Sequence, residues 1–386
     1  MGNFEQKEYW DYLKTLEEQF SDPEKLASAK KEYNDELNIE HEKKETPLRG
    51  KKKRSFWRVL KSKDTVLAIF LSVVIVVLSA AIVVVGIKTN ELRKTKLKEA
   101  QTTSSNAEDV VPEEESKIIE YAFPEETPDI IAGNDAKYAI VIDKTNGKVV
   151  AARNAHEKAY PASTTKIMTL LVAAENIENL NDTFTMTYEI TDPLFKQGAS
   201  IAGFLNGEVI TMTDLLYGLI LPSGADAAVA LANKIAGGEE AFVTLMNEKV
   251  AELGLKNTHF SNVSGLFDEQ NYTTAYDMSI ILSAAMQDDL CRTILSTKKY
   301  TTQKTEQNPK GIPLSSTLFD YMYGTEPEIA TIMGGKTGYV SQSGYCIASF
   351  GKNNSNGNEY VIVSLCNSSR WPAFHGQIDL YKEYAK

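Results

Sequence analysis

Histidine and cysteine are both scarce in this sequence. The four histidines, His41, His156, His259 and His375, include no pair at a zinc-ligand spacing such as H-E-x-x-H. That argues against a metallohydrolase. The three cysteines, Cys291, Cys346 and Cys366, are too few for a disulfide scaffold. Positive charge is in deficit as well: 41 Lys and Arg against 52 Asp and Glu leave a net charge of -11. Nucleic-acid binding needs a basic field around phosphates, so that class is set aside. No internal repeat is present. The 386 residues, 42% of them hydrophobic, suffice for one or two folded domains plus attachments.

One segment lacks charge altogether. Val66 to Ile87 is apolar apart from Ser72, Ser79 and Gly86. A helix of about 20 such residues spans a hydrocarbon core of roughly 30 Å. A transmembrane helix is therefore expected over residues 64–88. A cleaved signal peptide fits poorly, because a long polar stretch precedes the run. Lys51, Lys52, Lys53, Arg54, Arg58, Lys61 and Lys63 flank it on one side, and Lys88, Arg93, Lys94, Lys96 and Lys98 on the other. The bias favours a cytoplasmic N-terminus and a single-pass cell-membrane protein. Residues 1–63 then form a charged cytoplasmic tail. Tyr9, Trp10, Leu13, Leu16 and Phe20 lie there at helical spacing, and Ser21-Asp22-Pro23-Glu24 reads as a helix start. A solvated tail and a helical hairpin that binds a cytoplasmic partner both fit this pattern. Residues 89–132, with Thr102 to Ser105, Glu113 to Glu115, Pro124 and Pro128, lack apolar periodicity and read as an extracytoplasmic linker.

From about residue 133 to 386 the pattern is that of a folded domain. Ala136 to Asp143 and Lys148 to Arg153 form a predicted hairpin around Lys144-Thr145-Asn146-Gly147. Helical patterns follow at Ser163–Glu175, Met212–Ile220, Asp226–Ile235, Glu240–Leu253 and Thr274–Met286. Strand patterns return at Gly344–Phe350 and Tyr360–Cys366, and a last helix is expected from Ala373 to Tyr384. Strands at both ends with helices between predict an α/β (α+β) layer fold with a helical subdomain.

Three short elements carry chemistry. In Tyr160-Pro161-Ala162-Ser163-Thr164-Thr165-Lys166, residues three apart share a helical face, so Ser163 and Lys166 can meet. A serine hydroxyl is a weak nucleophile until a neighbour takes its proton, and an unprotonated lysine can do so. The same spacing occurs at Ser28–Lys31, Ser296–Lys299 and Ser349–Lys352. The first lies in the expected tail and the second in a polar, basic stretch. The third is on a predicted strand, where residues three apart face opposite sides. The second element, Leu221-Pro222-Ser223-Gly224-Ala225-Asp226, sits on a loop between helices, where Ser223 or Asp226 could equally cap the next helix. The third, Gly334-Gly335-Lys336-Thr337-Gly338, precedes the Gly344–Phe350 strand. A lysine and a hydroxyl at the start of an edge strand can bind a carboxylate, and glycine lets a substrate backbone approach.

S-x-x-K, then S-G-x, then K-T-G is the motif set of penicillin-binding proteins and class A β-lactamases. Tyr160–Thr169, Leu215–Ala232 and Tyr272–Met278 resemble more closely the D-alanyl-D-alanine carboxypeptidases, the low-molecular-weight penicillin-binding proteins of peptidase family S11. The resemblance implies a β-lactamase/transpeptidase-like fold: an antiparallel sheet flanked by helices, with the active site between sheet and helical subdomain. It implies a serine-type carboxypeptidase acting on peptidoglycan stem peptides ending in D-Ala-D-Ala, inhibited by β-lactams, with no metal or cofactor. Ser163 would form the acyl-enzyme, Lys166 accept its proton, and Ser223 serve the proton network. Lys336 and Thr337, with Gly338 and Tyr339 beside them, would bind the substrate carboxylate. The backbone N–H groups of Ser163 and Tyr339 would form the oxyanion hole, and Lys336 would help keep Lys166 deprotonated.

One departure is Ala225, which stands where the family usually has an asparagine that orients substrate. It leaves a second reading open, a membrane-bound penicillin or peptidoglycan sensor with weak or no turnover. A β-lactamase would want Glu-x-x-Leu-Asn, which Glu252 to Asn257 does not supply. Cys346 and Cys366 fall on one predicted hairpin. A two-residue Asn356-Gly357 turn would set Cys346 opposite Asn367, whereas an odd-length loop centred on Asn356 would set the cysteines face to face.

Overall fold

The computed structural model describes residues 119–386 apart from positions 323, 325 and 326. The expected transmembrane helix, the tail 1–63 and residues 89–118 of the expected linker lie outside the described residues. Among the described residues no helix is long and apolar enough to cross a membrane.

A five-stranded antiparallel sheet forms the frame. Its strands are β1 (Tyr138–Asp143), β2 (Lys148–Arg153), β7 (Ala330–Val340), β8 (Gly344–Asn353) and β9 (Glu359–Asn367), in the order β2-β1-β9-β8-β7. Between β2 and β7 the chain makes a short 3-10 turn, Ala162–Thr165, and eight of its helices. The first six are α1 (Lys166–Asn176), α2 (Tyr188–Lys196), α3 (Met212–Ile220), α4 (Ala225–Ala236), α5 (Glu239–Glu252) and α6 (Ala275–Ala285). After α7 (Asp289–Ser296) and the short α8 (Thr317–Met322), β7 to β9 complete the sheet, and α9 (Arg370–Tyr384) closes the chain. Two-stranded ribbons pair β3 (Thr183–Thr185) with β4 (Val209–Thr211), and β5 (Lys299–Thr301) with β6 (Pro313–Ser315).

Both faces of the sheet are covered, which is why β1 reads as a continuous apolar run and all six of its residues are buried. Ile140, Ile142, Val361, Val363, Ala348 and Phe350 face one core, shared with Ile167 of α1 and Met278, Ile281 and Leu282 of α6. Ala139, Val141, Ile347, Tyr360 and Ile362 face the other, under Phe374, Ile378 and Tyr381 of α9. In α1 every residue from Lys166 to Ala173 is buried, the mark of a helix enclosed on all sides. Helix α1 is thus the centre of the helical layer, and Lys166 enters the interior with it.

Several expectations are corrected. The folded unit begins before residue 133: Tyr121 and Ile130 are buried, and the Tyr121 hydroxyl donates to Ser283 Oγ at 2.7 Å. Residues 119–132 therefore lie on the domain instead of forming a linker. Ser163 opens no α-helix; it sits in the 3-10 turn, and α1 starts at Lys166. The K-T-G triplet precedes the Gly344 strand as expected, but it lies inside a strand of its own, β7, at the sheet edge. The cysteines are not paired directly, although the adjacent Tyr345–Asn367 pair falls in the register that would have set them face to face. Tyr345 pairs with Asn367 and Ile347 with Ser364, so an irregularity sets Leu365 and Cys366 against Cys346. In the turn itself Asn353 Oδ1 accepts from Ser355 N and Asn356 N. Both thiols are free.

Candidate active site

The site is built where the 3-10 turn, the α3–α4 loop and β7 converge. Thr164 fastens the turn by donating from both N and Oγ1 to Pro161 O, at 3.2 and 2.6 Å. In a 3-10 turn residues i and i+3 eclipse, so the Ser163–Lys166 spacing still aligns the two side chains. Lys166 Nζ lies 3.1 Å from Ser163 Oγ and 2.6 Å from Ser264 O. Lys166 is 2% exposed. Burial lowers its pKa to about 7, against an opposing pull from the buried carboxylate of Asp226. A substantial fraction of Lys166 is therefore the free amine at neutral pH, able to take a proton from Ser163.

Ser264 was not singled out by sequence, because it acts through its carbonyl. The loop that holds it is fixed from both sides. Asn262 Oδ1 accepts from Ser264 N and Gly265 N, and Thr169 Oγ1 of α1 donates to Val263 O. Gly265, at φ +80°, packs so closely that a Cβ would overlap the Ala162 carbonyl. The only sequence signal was the Asn262-x-x-Gly265 turn pattern. Asn271, which donates to Thr165 Oγ1 at 3.1 Å, was likewise missed. The adjoining Tyr272–Met278 stretch proves architectural: Thr274 caps α6 by accepting from Asp277 N, and Asp277 accepts from Thr258 and Asn257.

Ser223 is held in the left-handed region at φ +66°. Its Oγ is buried and has no hydrogen-bond partner among the described residues. Neither Ser223 nor Asp226 caps α4; Gly224 takes that position without a side-chain bond. Asp226 is fully buried instead, and accepts from Ala202 N, Gly203 N and Ala227 N. Burial raises its pKa despite these bonds. Ala225 is buried, and its N–H donates to Ser200 O at 2.8 Å; its methyl supplies no amide.

Lys336, 1% exposed, donates from Nζ to Thr337 O at 2.8 Å. Its pKa is held well below the usual lysine range by burial first and by the charge of Lys166 second. Burial is the first cause of the depression at both lysines, and the two ammonium groups disfavour each other's charge as expected. A carboxylate beside Lys336 would favour its charged form again. Thr337 Oγ1 lies 2.7 Å from Thr317 Oγ1, a residue that sequence reasoning also missed. Gly338 packs against the nucleophile's turn: a Cβ there would sit 2.7 Å from Ser163 N. That approach carries the Tyr339 backbone close to Ser163. The Tyr339 ring is 54% exposed and lies tilted against Tyr345 with ring centroids 4.4 Å apart, and Phe267, also exposed, meets Tyr160 edge-on at 5.0 Å.

Ser163 and Lys166 thus meet as their spacing suggested, and Lys336, Thr337 and Gly338 join them as the resemblance implied, with Ser223 on the loop that joins α3 to α4. The other S-x-x-K pairs inside the described residues do not form such a site. Ser349 bonds to Tyr381 and Gln377 under α9, and Ser296 ends α7.

Residues 124–366 match the peptidase S11 family, described as D-alanyl-D-alanine carboxypeptidase. The chain is 32% identical over 254 residues to the D-alanyl-D-alanine carboxypeptidase DacF of Bacillus subtilis, covering 65% of this chain and 62% of that one. It is 35% identical over 220 residues to DacA of Escherichia coli K12, covering 55% and 51%. The chain thus spans between half and two thirds of the length of these two relatives. Among solved structures, the Streptomyces K15 DD-transpeptidase superposes with a TM-score of 0.58 at 29% identity, over 67% of this chain and 98% of that one. Penicillin binding protein 5 of Haemophilus influenzae gives 0.57 at 29% identity, over 67% and 71%.

Proposed function

Since the chain belongs to the D-alanyl-D-alanine carboxypeptidase family, peptidase S11, we propose that it removes the terminal D-alanine from peptidoglycan stem peptides through an ester on Ser163. The observation that carries this reading is the buried Lys166 amine, with a pKa of about 7, at 3.1 Å from Ser163 Oγ. Lys166 takes the hydroxyl proton as Oγ attacks the carbonyl of the penultimate D-alanine. The developing oxyanion is met by the backbone N–H groups of Ser163 and Tyr339. The proton passes to the leaving amine by way of Lys166 and the unpartnered Ser223 hydroxyl. Water then enters, with Lys166 as base, and the ester is hydrolysed.

Lys336 and Thr337 hold the terminal carboxylate, with Gly338 and Tyr339 lining the approach. The sheet ends at β7, so its outer edge is open for an extended peptide to lie along it. β-Lactams, which also carry a carboxylate beside an acylating carbonyl, acylate the same serine. The apolar run Val66–Ile87 anchors the chain in the cell membrane, with residues 1–63 in the cytoplasm, free to bind a partner there, and the catalytic domain outside.

A membrane-impermeant labelled penicillin applied to cells expressing the full-length protein tests both the chemistry and the orientation. The wild type labels on intact cells and Ser163→Ala does not; label retained by Ser163→Ala would sink the assignment. Release of D-alanine from a D-Ala-D-Ala pentapeptide completes the test. The second reading, a sensor that acylates without turnover, is favoured by one observation, the methyl group of Ala225 where an amide is usual. Acylation without D-alanine release would select it.

A further inference from the structure

Thr317 belongs to none of the three motifs, yet it touches two of them. Its N–H donates to Leu221 O at 3.2 Å, two residues ahead of Ser223. Its Oγ1 lies 2.7 Å from Thr337 Oγ1. The backbone around it is tied down: Ser316 N donates to Lys298 O at 2.9 Å, and Asp320 N to Ser316 O at 3.0 Å. As a β-branched residue opening α8, Thr317 has few side-chain rotamers, so its hydroxyl position is well defined.

The two hydroxyls share one short hydrogen bond, and either can be its donor. That choice decides what Thr337 offers a ligand. A hydroxyl has a single proton, and an ionised carboxylate only accepts. If Thr337 donates to Thr317, it faces a carboxylate with lone pairs alone. If Thr317 donates to Thr337, the Thr337 proton is free to point at the carboxylate. In the ligand-free site one Lys336 Nζ donor is engaged with Thr337 O, so the Thr337 hydroxyl adds a separately oriented donor to those Nζ has left.

We propose that Thr317 is a positioning residue: it donates to Thr337 Oγ1, turns the Thr337 hydroxyl toward the ligand, and so makes the site selective for substrates with a free carboxylate. The inference rests on the acyl-enzyme reading of Ser163. It adds a determinant of specificity from α8, and through Leu221 O it ties the carboxylate pocket to the loop that carries Ser223.

The test compares Thr317→Val and Thr317→Ser with wild type in the full-length protein. The readout is the rate constant for Ser163 acylation by labelled benzylpenicillin and by its carboxylate methyl ester. Loss of the neutral hydrogen bond that orients the Thr337 hydroxyl predicts that Thr317→Val reacts about fivefold more slowly with the free acid. Its rate with the ester is unchanged, so the preference for acid over ester falls by the same factor, and Thr317→Ser restores it. If the Val variant lacks a cooperative melt, Thr317→Ala replaces it in the same comparison. Equal slowing toward both probes, no change toward either, or failure of Ser to restore the preference overturns the inference. Because acylation needs no turnover, missing D-alanine release would remove the carboxypeptidase reading while the acid-to-ester comparison still stands. Normal release with an unchanged preference would remove this inference alone.

Discussion

Lys166 should destabilise the protein it serves, and the size of the effect follows from its pKa. In the folded state that value is about 7, against 10.5 for an ordinary lysine. Between those two values the unfolded chain binds more protons than the folded one, so stability rises with pH across that window. At pH 7 linkage gives a penalty of about 4 kcal/mol, approaching about 5 kcal/mol at lower pH and vanishing above the unfolded pKa. Lys166→Met keeps the length and apolar stem of the side chain but removes the charge. It also removes the partner of Ser264 O, and a buried carbonyl left unpaired costs about 1–3 kcal/mol. The balance at pH 7 is a variant about 1–3 kcal/mol more stable than wild type and unable to acylate. Relief of the repulsion at Lys336 acts in the same direction.

By pH 10 most of the penalty is gone from the wild type, while the loss at Ser264 O remains. The difference between the variant and wild type should therefore shrink by about 3–4 kcal/mol from pH 7 to pH 10 and change sign. Urea unfolding of both full-length proteins in mild detergent, at the two pH values, measures it. Groups that titrate alike in both proteins cancel in the difference. A gap that stays constant with pH, or a Lys166→Met protein already less stable at pH 7, would refute the claim that a depressed, buried amine sits beside Ser163.

Two other predictions follow from the same geometry. Acylation of Ser163 by labelled penicillin should rise with pH about tenfold per unit below 7 and level off above it, because the base is the neutral amine; a flat profile from pH 5 to 9 would count against Lys166 as that base. Gly338→Ala places a Cβ 2.7 Å from Ser163 N and 3.0 Å from Thr164 N, both backbone atoms that cannot swing aside. The strand must retreat by a sizeable fraction of an ångström, which should slow acylation about 100-fold and destabilise by about 1–3 kcal/mol. Gly238→Ala, where nothing lies within 4 Å, is the control and should leave the acylation rate unchanged. Wild-type acylation by Gly338→Ala would refute the close packing of β7 on the nucleophile's turn.

The parts of the fold legible in the sequence are those whose own pattern determines them. Helix α3 was expected at Met212–Ile220 and β2 at Lys148–Arg153, and both are observed there. Helix α2 was not foreseen, because Pro193 falls inside it and only tertiary packing of Ile190, Thr191 and Leu194 holds it. The three-residue strands β3 to β6 are too short for any alternation to register; their pairing with each other defines them. In the candidate site, Ser163, Lys166 and the K-T-G residues were legible because their side chains recur at a motif's spacing. Ser264 and Leu221 act through carbonyls, and every residue type has one. Thr317 contributes a hydroxyl, but only the fold brings it to Thr337 across 20 residues of chain.

Ser223 shows how much the structure adds to a motif that sequence alone could read as a helix cap. Its left-handed backbone costs about 1 kcal/mol or more, and its buried, unpaired hydroxyl about 1–3 kcal/mol. Such a conformation persists only where the neighbours leave no alternative. Here Gly224 N donates to Gly218 O at 2.9 Å and Ala225 N to Ser200 O at 2.8 Å, so the chain just after Ser223 is fixed from two directions. A Cβ on Gly224 would meet Asp226 Oδ1, Gly218 O and Ala202 N within 3 Å, which leaves glycine as the residue that fits. Asp226 completes the clamp by gathering the N–H groups of Ala202 and Gly203, and its own burial is unfavourable. A helix cap would explain a serine and an aspartate near this helix start, but it would not require Gly224 or bury Asp226. Taken with the two buried lysines, the site is assembled from groups that each oppose folding, held by bonds that run to backbone elsewhere. Replacing such groups should be tolerated by the fold while the chemistry is lost, the pattern expected of residues retained for reactivity.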